Sequence, residues 1–290
     1  MSALPRQSRR RTISLRLKAG SITSDARKNP ENPLQSCHSL AVFGVPHLTN
    51  ESITDALIAR LRTTSVLDDQ DVEAVRSLPV VVKHYQPGQA IVRDGDRPVE
   101  CCLISKGFCV RSKTTSSGRR QILSIYIPGE IPDLQSLHLH VLDHDLTTLT
   151  ECTLGFISHV SLREITRRRP NVAEIFWRDT LIDAAMFRDW IVNVGQRPAP
   201  SRLAHIIVEL RERLKVIGQA QGAWVEMPLT QEQIGEAMGI TPVHANRTVK
   251  QLRDDKVLEF RRGSVRVIDE QKLLELADFD DLYLHQRPSL

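Results

Sequence analysis

The stretch TPVHANRTVKQLR carries Ala245, Val249 and Leu252 at helical spacing, which leaves Val243, His244, Asn246, Arg247 and Lys250 on the opposite side. A helix with an apolar inner stripe turns its remaining side chains to solvent or to a partner. These residue types carry a definite chemistry. An asparagine amide pairs with adenine, a guanidinium forks onto the two major-groove acceptors of guanine, and a lysine ammonium suits a phosphate. Val243 brings no hydrogen-bonding group to that face.

The flanking residues specify the elements that must hold this face. Thr230, with Gln233 three residues on, makes a capping box and opens a helix carrying Ile234, Ala237 and Met238 inward. Gly239 ends it where a left-handed residue fits. Thr241 caps the second helix, and Pro242 takes its first position, where a missing N–H costs nothing. Beyond it, VLEF and VRVI flank Arg261-Arg262-Gly263-Ser264 as a hairpin with a basic tip. Paired capped helices also occur in bundles that touch no nucleic acid. A core-packing pair, however, does not set Asn, Arg and Lys beside an arginine-tipped hairpin. Helix, turn, helix and basic wing form a shape for reading duplex DNA. His244, Asn246 and Arg247 can reach base edges or phosphates, with Arg247 the foremost candidate. Gln231, Lys250, Arg261 and Arg262 suit phosphates, and Thr230, Thr241 and Val243 complete the candidate DNA-binding set.

The 290 residues suffice for two domains, and 41% hydrophobic with 26% charged residues is ordinary for a soluble globular chain. A net charge of only +4 means that any nucleic-acid surface is local. Aromatics at 4% argue against a single-strand binder that works by base stacking. Cys37, Cys101, Cys102, Cys109 and Cys152 are odd in number and lack Cys-x-x-Cys spacing, so neither a disulfide framework nor a zinc ribbon is expected. Cys101 and Cys102 are adjacent and should face opposite sides as buried thiols. No apolar run is long enough for a bilayer, and the arginine-rich start lacks the apolar core of a signal peptide. The expectation is a cytoplasmic protein with no membrane partner. No nucleophile–base spacing or phosphate-binding glycine loop names a reaction, so no enzyme is expected.

Along the chain, residues 1–50 read as a basic, disordered extension, with a DNA-touching arm as the lesser alternative. A helix from Ile53 carries Ala56, Leu57, Leu61 and Val66; another opens at Asp68 with Val72, Val75 and Leu78 inward. Between Val80 and Ser158, short β-type runs alternate with turn residues, as in an antiparallel barrel or sandwich. HLHVLDHDL reads as a strand with His138 and His140 on one face and Leu137, Leu139 and Val141 toward the core. With His144, these histidines are weak metal candidates. Ser161–Arg168 reads as a short helix and Asn171–Val194 as a long one, apolar on more than one face, which calls for a second copy of itself. Gly195–Pro200 reads as a hinge, Ser201–Lys215 as an amphipathic helix, and Asp269 as the cap of a last helix through Ala277, before a polar tail.

Taken together, residues from about 50 to 280 resemble the Crp/Fnr family of bacterial transcription regulators. The resemblance rests on the β-rich half with its Pro128-Gly129-Glu130 turn, the long helix, and above all LTQEQIGEAMGITPVHANRTVKQLR. It implies an α+β fold: an N-terminal antiparallel β-roll (a cyclic-nucleotide-binding-like jelly roll) with flanking helices, a long dimerisation helix and a C-terminal winged helix-turn-helix. The corresponding segments are 1–50, 51–169, 170–196, 197–280 and 281–290. It further implies a homodimer on a pseudo-palindromic duplex site, with RNA polymerase as a further partner and an effector in the β-roll. Candidate effector residues are Glu130, Asp133, Gln135, Ser136, Asp143 and His144. Two departures stand out. Pro242 and Val243 occupy the positions of the family's base-reading arginine and glutamate, and only Arg247 keeps the pattern. Asp143-His144-Asp145 falls near the place of the Arg-Ser pair that holds cyclic AMP, so the segment offers carboxylates where that ligand brings a phosphate. No required cofactor is expected, and the effector is unknown; the cysteine cluster of the iron–sulfur sensors is missing. The competing reading is a small-molecule or metal sensor whose winged helix contacts protein.

Overall fold

The structure, a computed structural model, describes residues 50–220 and 224–286. The basic extension and Cys37 lie outside the described residues. Helices α1 (Asn50–Leu61) and α2 (Asp69–Arg76) come first. Asp68 caps α2 through a complete capping box. Ile53, Leu57 and Leu61 are buried, whereas Val66 follows α1 and is exposed, because the chain has already left the helix.

Seven strands form the roll: β1 (Val81–Tyr85), β2 (Ala90–Val92), β3 (Glu100–Lys106), β4 (Cys109–Thr114), β5 (Arg120–Tyr126), β6 (Asp145–Thr148) and β7 (Cys152–Ser158). They pair antiparallel in two sheets, ordered β1-β7-β3 and β2-β6-β4-β5. Strand β3 is covered on both of its faces. Cys101 and Leu103 pack with Ile53 and Leu57 of α1, while Cys102 and Ile104 pack inside the roll with Cys109 and Leu154. The adjacent thiols thus face opposite sides, as period-2 alternation requires. Gly129 adopts φ 89°, and a Cβ there would meet the Ala56 carbonyl oxygen at 2.5 Å. Only glycine lets the Pro-Gly-Glu turn close onto α1.

The HLHVLDHDL strand is corrected. Leu134–Leu137 is a 3₁₀ turn, and His138 to Val141 form an exposed loop before β6. Leu139 and Val141 are therefore exposed instead of core-facing, and His138 and His140 share no strand face. Among the described residues no group of three His, Cys, Asp or Glu could hold a metal ion.

Helix α3 (His159–Arg168) starts earlier than expected because Ser158 caps it. Helix α4 (Pro170–Gln196) follows. The six-residue hinge shrinks: Gly195 and Gln196 complete α4, and only Arg197 and Pro198 separate it from α5 (Ala199–Val216). After α5 come β8 (Trp224–Glu226), α6 (Gln231–Met238), α7 (Pro242–Asp254), β9 (Leu258–Arg261), β10 (Ser264–Val267) and α8 (Glu270–Ala277). Strand β8 was not expected from the sequence; it adds to the wing, giving the order β8-β10-β9. Nor does the tail simply end polar. A 3₁₀ turn (Asp281–Leu284) buries Leu284 against Ile182 and Met186 of α4.

One apolar core runs through both halves, joining Phe108, Val110, Ile122 and Ile125 of the roll to Leu203, Ile207, Ile234 and Met238. Polar contacts reinforce this seam. Arg120 meets Glu236 at 3.0 Å, and Gln121 Nε2 donates to the Ala237 carbonyl at 3.3 Å.

Candidate nucleic-acid interface and sensory cavity

The two-helix element is held from its ends. The Thr230 hydroxyl accepts from Gln233 N at 3.2 Å, and Thr230 N donates back to Gln233 Oε1 at 2.9 Å. Gly239 is left-handed (φ 67°), and the Thr241 hydroxyl accepts from His244 N at 3.3 Å. Both threonines are exposed, and each hydroxyl accepts the cap N–H while keeping its own O–H to donate. The turn is tight: a Cβ on Gly235 would meet the Ile240 carbonyl oxygen at 2.9 Å. That glycine had no sequence signal beyond its place inside a helical pattern.

Helix α7 buries Ala245, Val249 and Leu252, and also Thr248, whose hydroxyl donates to the His244 carbonyl at 3.0 Å. Val243, His244, Asn246, Arg247 and Lys250 are exposed together. Arg247 and Lys250 form no ion pair with any described residue, so both cations are free for an anionic partner. Asn246 Nδ2 donates to Gln231 Oε1 at 2.5 Å, joining the outer faces of α6 and α7. On the wing, the Arg261 guanidinium lies 4.0 Å from the Trp224 ring centre, and Arg262 is exposed at the tip. Arg261 Nη2 also lies 3.7 Å from Glu259 Oε1, a carboxylate it shares with Arg266.

A second feature lies between the roll and α4. Arg111, Lys113, Leu123, Gln135, Asp143 and His144 face Thr180, Asp183, Ala184 and Phe187 across a cavity of about 310 Å³. Arg111 dominates its floor. Its Nη1 donates to Asp183 Oδ2 at 2.8 Å, its Nη2 reaches the Pro132 carbonyl, and Tyr126 OH donates to Asp183 Oδ1 at 2.9 Å. His144 faces Asp143 at 3.0 Å; burial, with Arg111 close by, holds its imidazole below the usual range.

Of the six residues assigned to the effector, Gln135, Asp143 and His144 line this cavity. The other three are held elsewhere. Asp133 is buried, and its carboxylate accepts from Cys102 N at 2.8 Å; burial pushes its acid up to about 7. Ser136 is buried 2.9 Å from His159 Nε2. Glu130 is enclosed by Arg213 and Arg60. The reading from sequence missed Arg111 and Lys113, because strand pairing alone brings β4 to the Asp143 loop.

The cavity brings two cations and two carboxylates together, Arg111 with Asp183 at 2.8 Å and Lys113 with Asp143 at 3.5 Å, and the buried Arg111 Nε has no partner among the described residues.

Two family models match the chain: the cyclic nucleotide-binding domain over residues 82–169 and the Crp-like helix-turn-helix domain over residues 201–276. The transcriptional activator protein FnrL of Cereibacter sphaeroides is 24% identical over 205 residues, spanning 68% of this chain and 81% of the relative. The nitrogen fixation regulation protein FixK of Rhizobium meliloti is 27% identical over 199 residues, 69% of this chain and 87% of the relative. In fold, the chain is similar to FixK2 from Bradyrhizobium japonicum, with a TM-score of 0.63 at 21% identity over 69% of this chain and 98% of that one. These relatives are regulators and not enzymes, and among the described residues no helix is long and apolar enough to cross a membrane. With a cyclic-nucleotide-binding-type roll followed by a Crp-like helix-turn-helix, the chain belongs to the Crp/Fnr family of transcription regulators.

Proposed function

We propose that the chain is a sequence-specific regulator that binds a pseudo-palindromic duplex as a homodimer, under the control of an effector in the cavity beneath α4. The observation that carries this reading is the exposed face of α7, with Arg247 and Lys250 unpaired among the described residues beside an arginine-bearing wing. Arg247 reads guanine, Asn246 reads adenine, and Val243 lies against a thymine methyl. His244 supplies a further polar contact. Lys250, Arg261, Arg262 and Gln231 hold phosphates and set the register.

The dimer reading is supported by α4. Trp177, Leu181, Ala184, Arg188 and Ile191 follow one another at alternating steps of four and three, the spacing of a coiled-coil seam. Trp177 is 68%, Leu181 55% and Ile191 72% exposed in the single chain. A second copy laid along this stripe buries them. Ala184 belongs to both the stripe and the cavity wall, so a molecule in the cavity touches the seam. In this arrangement residues 51–169 sense, 170–196 couple and 197–280 read. RNA polymerase is the further partner, and the cytoplasm is the compartment.

Selection of duplexes from a randomised pool tests this reading. The expected product contains two half-sites about one helical turn apart, bound with an affinity that falls steeply with salt. Failure to enrich any sequence, with no salt-dependent retention of duplex, would favour a winged helix that contacts protein.

A further inference from the structure

We propose that Gln231 is a positioning residue for base reading: it holds the Asn246 amide in the orientation that pairs with adenine. The proposal rests on the DNA-reading role given above and adds how one base is specified. Gln231 and Asn246 are both exposed, on the first turn of α6 and the outer face of α7, yet their amides meet at 2.5 Å. The caps at Thr230 and Thr241 and the close approach at Gly235 fix the backbones that carry them.

The chemistry follows from counting donors and acceptors. An asparagine amide has two N–H groups and one carbonyl oxygen. One N–H of Asn246 is committed to Gln231 Oε1, which leaves the other N–H and Oδ1 free. Those two are the pair needed for adenine, a donor for N7 and an acceptor for the N6 amine. Gln231 in turn keeps both of its own N–H groups. They lie at the N-terminus of α6, where unpaired backbone N–H groups also favour an anion. One glutamine thus ties a phosphate contact to a base contact. An unsupported Asn246 has to be immobilised on binding, and it can turn its amide over to suit other bases.

The test uses the full-length chain and duplexes drawn from a randomised pool. Selection with Asn246→Ala locates the base pair that this residue reads, as the position where preference is lost. The expected outcome is that Gln231→Ala reduces the adenine preference at that same position by about three- to tenfold, the cost of ordering one side chain. Preference elsewhere and the slope of affinity against salt change little, apart from the loss of a single phosphate contact. Gln231→Glu separates the two functions. It keeps the acceptor for Asn246, so the adenine preference survives, while its negative charge lowers affinity on every sequence. Replacing that adenine by 7-deazaadenine, which lacks the N7 acceptor, should weaken the unaltered protein and leave Asn246→Ala indifferent.

Retention of full adenine preference in Gln231→Ala overturns the proposal while leaving DNA reading intact. So does loss of preference in Gln231→Glu equal to that in Gln231→Ala, or a base other than adenine at the Asn246 position. If the unaltered protein enriches no sequence, the DNA-reading role itself fails, and this proposal with it.

Discussion

Arg213, on α5, donates through Nη2 to both carboxylate oxygens of Glu130, on the Pro-Gly-Glu turn of the roll, at 2.9 and 2.8 Å, with both side chains buried. Arg213 also reaches Glu209 at 3.1 Å, and Glu209 accepts from Trp190 Nε1 at 3.0 Å and Tyr283 OH at 2.8 Å. The Pro-Gly-Glu turn, α4, α5 and the C-terminal turn therefore meet at one enclosed cluster. Removing Arg213 leaves the buried Glu130 with only the longer Arg60 contact at 3.5 Å and takes the one cation from Glu209. Arg213→Met should cost about 3–5 kcal/mol of unfolding free energy, and adding Glu130→Gln to it should recover part of the loss. Urea unfolding of the single and double variants checks both.

The same pair sets an acid limit. Burial works against ionisation of Glu130, but Arg213 and Arg60 outweigh it and hold the carboxyl below the usual range. Its contribution is present in full above the unfolded value of about 4.3 and is lost as pH falls through the lower folded value. Urea midpoints should drop below about pH 4, and Glu130→Gln should flatten that drop at the expense of stability at neutral pH.

Asp133 has the opposite sign. With its acid raised to about 7, the folded state favours the protonated form. Stability is greatest below the unfolded value of about 3.9 and is lost as pH rises to about 7. Asp133→Asn keeps an acceptor for Cys102 N and carries no charge. It should be more stable than the parent at pH 8, by on the order of a few kcal/mol, and the thermal midpoint should lose its slope between pH 4 and 7.

Arg247→Ala should weaken binding to the preferred duplex by about 1–3 kcal/mol and relax choice at one base pair per half-site. Fluorescence anisotropy on single-base variants distinguishes this from a phosphate contact, whose loss weakens every sequence alike.

Leu181→Glu places a charge in the middle of the exposed stripe on α4, 55% accessible in the single chain. Sedimentation should show the parent as a dimer and the variant as a monomer of unchanged secondary structure. DNA affinity should fall with it, because two linked half-sites raise avidity by about 10²–10⁴.

The helix-turn-helix was legible because its signals are local. Thr230, Gln233, Gly239, Thr241 and Pro242 each act within one turn of chain, and each does in the structure what its type suggests. The cavity beneath α4 was hardly legible, since its lining is assembled across distance. Arg111 meets Asp183 through sheet pairing and helix packing, so nothing near Asp143 in the sequence announces a guanidinium. Alternation misled at His138 to Val141, where a short apolar–polar rhythm is equally compatible with an exposed loop. The hinge was overestimated because α4 runs on through Gly195 and Gln196 and ends only at Arg197, whose backbone is extended. Tyr283 and Leu284 were passed over because two apolar residues in a polar tail carry no period.

The apolar core shared by the roll and the reading domain limits how such a chain can be cut and recombined. Residues 199–286 taken alone would leave Leu203, Ile207, Ile234 and Met238 without the Phe108, Val110, Ile122 and Ile125 surface they pack on. Grafting this reading head onto another sensor therefore requires transplanting the β4–β5 face as well.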